Sequence, residues 1–96
     1  MFRVIDTIRY DDILLRRQPE LALQFGLGLL VILDPAQITS APVEPGVSVR
    51  IHRPDGTSFD RVVSGVECPH SVVGLFFREM AEHEIPRLSQ IELLAG

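Results

Sequence analysis

Apolar side chains recur at every second position along the first strand-like stretch: Phe2, Val4, Ile8 and Tyr10 share one phase, broken only by Asp6, and Arg3, Thr7 and Arg9 take the other. That spacing predicts a half-buried strand over Phe2–Tyr10, because successive strand side chains point to opposite faces. Over residues 11–23 the apolar residues Ile13, Leu14, Leu15 and Leu21 surround Pro19. Proline inside a helix removes a hydrogen bond and clashes with the preceding turn, so the segment is irregular or holds helix of only a turn or two. Residues 27–33 form a near-continuous apolar run closed by Asp34-Pro35, the pattern of a central strand buried on both sides.

Three prolines and small polar residues over 35–45 read as a loop. Val47, Val49 and Ile51 then alternate with Ser48, Arg50 and His52, a clear strand signal. Pro54-Asp55-Gly56 supplies a preset φ, a side chain that bonds its own backbone and a residue free to take positive φ. A hairpin into a strand over 58–67 follows. Cys68-Pro69-His70 ends that strand, and 72–77 is a further strand whose Gly74 marks a bulge or a close backbone approach. A polar connector over 80–84 leads to a last strand carrying Ile91, Leu93 and Leu94. About six short strands separated by turns predict an all-β barrel or sandwich.

Composition narrows the class. The 96 residues have room for one core, so residues 1–96 read as a single domain. Apolar residues make up 46% and charged ones 23%, a globular balance. Mean hydropathy of +0.22 is high for so small a chain and suggests that some apolar surface meets a partner. The net charge of -4, with nine basic residues that are all arginine and scattered, opposes a nucleic-acid polyanion. One cysteine excludes an internal disulfide. The apolar run over 21–33 is too short for a bilayer, and Asp6, Asp11 and Asp12 sit where a signal peptide would be apolar. A cytoplasmic protein with no membrane contact is expected.

Five stretches occur in a suggestive order: Gly26-Leu27-Gly28, Pro45-Gly46-Val47-Ser48-Val49-Arg50-Ile51, Val63-Ser64-Gly65-Val66-Glu67, Val73-Gly74-Leu75-Phe76-Phe77-Arg78 and Glu84-Ile85-Pro86-Arg87-Leu88-Ser89-Gln90-Ile91. Together they resemble the second, β-barrel domain of elongation factor Tu and related translational GTPases, over about three-quarters of the chain. The resemblance implies a small closed or nearly closed antiparallel β-barrel. It also implies that Glu67 and Phe76 correspond to residues lining the pocket for the aminoacyl end of tRNA, with His70 the nearest counterpart of a basic pocket residue. The family's Arg-Gly turn is here Arg87-Leu88-Ser89. No Gly-x-x-x-x-Gly-Lys-Ser/Thr loop is present, so GTP chemistry is excluded.

The remaining chemistry is sparse. Cys68, His52, His70 and His83 could ligate a metal, but only Cys68 and His70 are close in sequence, and zinc wants four ligands, usually as spaced pairs. Glu79, Glu82 and His83 would group on a helical turn, though a solvated connector explains them. Ser71 beside His70 lacks a nucleophile elbow. Adjacent Phe76 and Phe77 must face opposite sides of their strand, one in the core and the other either under the 80–84 connector or exposed to a partner. The chain is therefore expected to be a non-enzymatic interaction module with no catalytic residue, metal or cofactor. It would bind a protein partner or its own copy through Glu67, His70, Phe76 or Phe77, within a translation-related assembly. Two alternatives stay open: an RNA module contacting a tRNA acceptor end, and a small metal-dependent hydrolase. DNA is not an expected partner.

Overall fold

A computed structural model describes residues 2–34, 44–68 and 72–94. His70, Ser71 and most of the expected 35–45 loop lie outside the described residues. In chain order the elements are β1 (Phe2–Tyr10), α1 (Asp12–Arg17), α2 (Pro19–Gln24), β2 (Gly28–Leu33), β3 (Ser48–His52), β4 (Ser58–Val62), β5 (Gly65–Glu67), β6 (Gly74–Arg78) and β7 (Gln90–Leu93), with a 3-10 turn over Glu82–Glu84. All strand pairings are antiparallel, and the strands lie in the order β4-β3-β7-β1-β2-β6-β5.

The apolar run expected over 27–33 becomes β2 from Gly28 onward, buried on both faces from Leu29 to Leu33, while Leu27 precedes the strand and is 50% exposed. Leu29, Val31 and Leu33 enter the main core, while Leu30 and Ile32 enter a second cluster on the opposite face. That second face is covered by the helices. Asp11 caps α1 by accepting the Leu14 amide at 3.0 Å, and Pro19 opens α2, where a missing N–H costs nothing. Leu21 and Phe25 then pack on Tyr10, Leu30, Ile32 and Phe76. Gly65 makes room for this layer: a Cβ there would lie 2.7 Å from Phe25 Cε1. The expected close approach at Gly74 is present too, with Leu30 Cδ1 3.0 Å from where a Cβ would stand.

Every strand contributes to the main core, from Phe2 and Val4 of β1 through Phe59 of β4 and Val66 of β5 to Ile91 of β7. One cluster can collect both ends of the strand order only if the sheet curls around it. The expected strand over 58–67 is split where the curl turns. Val63 donates to the Val47 carbonyl on one side and Ser64 to the Phe76 carbonyl on the other, so the chain leaves β3 for β6 within two residues. The end strands β4 and β5 are thus joined covalently, and no ladder pairs them among the described residues. The resemblance implies a closed or nearly closed barrel; the described sheet is antiparallel and curled, and it is not closed.

The stripe read in β1 is also divided. Val4 pairs with Leu33 and Asp6 with Ile32, which leaves Ile5 as an extra residue in a β-bulge. An inserted residue inverts the alternation beyond it. Val4 therefore points into the main core, whereas Tyr10 points under the helices and Ile8 is 43% exposed. Thr7 and Arg9, opposite Val31 and Leu29, now occupy the inner face.

Candidate functional site

Glu67 and Phe76 do come together, but as part of the packed layer beneath the helices. The Tyr10 hydroxyl donates to the Glu67 carboxylate at 2.8 Å. Burial first, then this hydrogen bond and the carboxylate's charge, push the Tyr10 phenol well above its ordinary pKa. The Phe76 ring lies 5.1 Å from Tyr10 and 5.0 Å from Phe25, centroid to centroid, and is 0% exposed. Phe77 points the other way, as neighbours on a strand must, and is 1% exposed within the main core. The side chain in need of a cover is Phe76, and α2 supplies it; Met80 of the expected connector packs instead on the side of Phe77. Neither phenylalanine is an exposed anchor. His70, the remaining expected binding residue, lies outside the described residues.

Among the described residues the possible metal ligands do not converge. His52 Nε2 lies 2.8 Å from Glu92 Oε1, Cys68 is exposed past the end of β5, and His83 sits in the 3-10 turn. No group of three metal-ligating side chains occurs among the described residues. No helix among them is long and apolar enough to cross a membrane.

One concave feature among the described residues is a groove that the sequence does not announce. β7 pairs with β1 only at Phe2 and Arg3, and Val4 adds one bond to the Ser89 carbonyl at 3.0 Å. Past the Ile5 bulge the two diverge, and a groove of about 1010 Å³ opens between the rest of β1 and the segment running from Glu79 to Arg87. Val4, Met80 and Ile85 give it an apolar floor continuous with the core. The bulge shapes it, because it sets Thr7 and Arg9, rather than Ile8, on the face of β1 shared with Val31 and Leu29, where the Arg9 side chain stays exposed.

The far wall is held firmly. Glu84 Oε2 accepts the Ala81 amide at 2.7 Å, and its Oε1 lies 3.1 Å from the Arg61 guanidinium. The Ala81 N–H, the largest influence, keeps the Glu84 carboxyl below its ordinary pKa; burial opposes it, and the Arg61 guanidinium adds to the lowering. Arg53 donates to the Glu84 carbonyl at 2.9 Å, and Arg9 reaches across the groove to Glu82 at 3.3 Å, with both side chains exposed. Glu79 and Leu88, one near each end of this wall, have φ of 57° and 71°, and they are the non-glycine residues in left-handed backbone among those described. Left-handed backbone costs a non-glycine residue about 1–2 kcal/mol, and such strain collects at functional sites. Leu88 is also 70% exposed. Its sequence signal was the leucine standing where the resembling family has the glycine of an Arg-Gly turn. Glu79, Thr7 and Arg9 gave no comparable signal, since the bulge that places the last two is not written in the apolar pattern.

The chain matches no family model, no curated protein and no solved structure.

Proposed function

We propose that this domain is a non-enzymatic protein-interaction module of small β-barrel type, similar to the second domain of elongation factor Tu, and that it takes its partner in the groove beside β1. The carrying observation is the groove itself. An apolar-floored concavity at the upper end of the roughly 300–1,000 Å³ usual for ligand sites is the default binding surface, and its wall begins at the strained Glu79, with the strained Leu88 just past its other end. The barrel likeness is supported by the main core, to which every described strand contributes, and by end strands that follow one another along the chain. A place in a translation-related assembly rests on the sequence resemblance. An RNA acceptor-end pocket at Glu67 and Phe76 has less in its favour, because a stacking platform needs an open ring face and Phe76 is enclosed by Tyr10 and Phe25.

The test is selection from a displayed library of random peptides. Ligands should be enriched by the wild-type domain and weakened at least about tenfold, or 1.4 kcal/mol, by Thr7→Trp, which fills the groove without altering the core. Circular dichroism should show that the variant is folded. Enrichment of nothing, or of ligands indifferent to Thr7→Trp, would overturn the reading.

A further inference from the structure

Past the bulged Ile5, residues 6–10 of β1 pair with β2 on one side, and residues 5–10 pair, among the described residues, with no strand on the other. Within this stretch the Thr7 amide donates to the exposed Asp6 carboxylate at 2.8 Å, an acceptor that an incoming backbone carbonyl could replace. An open strand edge invites an extended segment to add as a further strand, with backbone bonds giving affinity and alternate side chains giving specificity. The available stretch is about 20 Å long at roughly 3.3 Å per residue.

Charge selects among extended segments. Asp6, Asp11, Asp12, Glu79 and Glu82 line the groove. Against them stand two arginines, Arg9 and Arg87, and the first is already paired with Glu82. Acidic segments would meet uncompensated like charge at close range, whereas arginine or lysine would complete the pairing. The floor of Val4, Met80 and Ile85 asks for apolar side chains at alternate positions.

We infer that the groove binds an extended, basic segment of another protein, apolar at alternate positions, as an added strand on β1. This rests on the reading of the groove as a docking site and names the class of its occupant.

Three capped peptides of about six residues, the length of the open stretch, test it. One alternates valine with arginine, one alternates valine with glutamate, and the third is the arginine peptide with an N-methylated backbone. The arginine peptide should bind, weaken as salt rises, and slow hydrogen exchange at the Thr7 amide. The glutamate and N-methylated peptides should each bind at least about tenfold more weakly. Equal binding of either control, or protection confined to residues outside β1, would overturn the inference. If none of the three binds while helical or acidic library ligands sensitive to Thr7→Trp are found, strand addition by a basic segment is wrong and the interaction module stands. If the library also yields nothing, both readings fall.

Discussion

The chain contains one tyrosine and no tryptophan, so its ultraviolet titration reports Tyr10 alone. Burial, the hydrogen bond to Glu67 and the Glu67 charge all raise the phenol's folded pKa above its unfolded value of about 10. Below that pH the phenol is protonated in both states and its contribution to stability is complete. Above it the unfolded chain releases the proton and the folded chain keeps it. Each further pH unit then removes about 1.4 kcal/mol of stability until the folded pKa is reached. Two such units amount to about 3 kcal/mol, a large share of the 5–15 kcal/mol that holds a typical domain together. Absorbance and far-ultraviolet circular dichroism, followed together on one alkaline titration, should show no tyrosinate near pH 10 in the folded protein. The signal should then rise with loss of the β spectrum. Glu67→Gln keeps an acceptor but removes the charge, so the titration should move down while burial, the largest cause, still holds it above about 10. A phenol that ionises near pH 10 with the β spectrum intact would refute the enclosed Tyr10–Glu67 pair.

Two substitutions test other parts of the description. Phe76→Ala should cost about 3–5 kcal/mol in a urea titration, because it empties a fully enclosed ring site; a denaturation midpoint equal to wild type would mean that the ring is not packed beneath α2. Leu88→Gly should be neutral or stabilising by up to about 1 kcal/mol, since relief of left-handed strain is partly offset by the greater freedom of glycine in the unfolded chain. A Tm lowered by several degrees would show instead that the Leu88 side chain carries packing.

The apolar pattern by itself determined most of the strands, though not the split of 58–67 into β4 and β5, and it marked β2 as an interior strand, paired on both sides. The run over 27–33 has the pattern of a strand buried on both faces, and Leu29 to Leu33 are so buried, because they carry nothing polar to meet water. The alternation of Val49 and Ile51 with polar neighbours likewise set the inner face of β3, and Pro19 limited the helices to six residues each. The opposite facing of Phe76 and Phe77 followed from strand geometry alone. Which of them lay under which cover did not, because Leu21 and Phe25 are distant in sequence from β6 and reach it only through the return of β2 against β1. The groove was invisible for a related reason. Period-two reasoning assigns faces on the assumption that no residue is inserted, and the bulge at Ile5 follows directly on Val4, which pairs with Leu33 of β2 and bonds the Ser89 carbonyl. Local periodicity thus determined the strands and their apolar content; the tertiary pairing, which alone decides register, determined which side chains meet the interior and where β1 was left with an open edge.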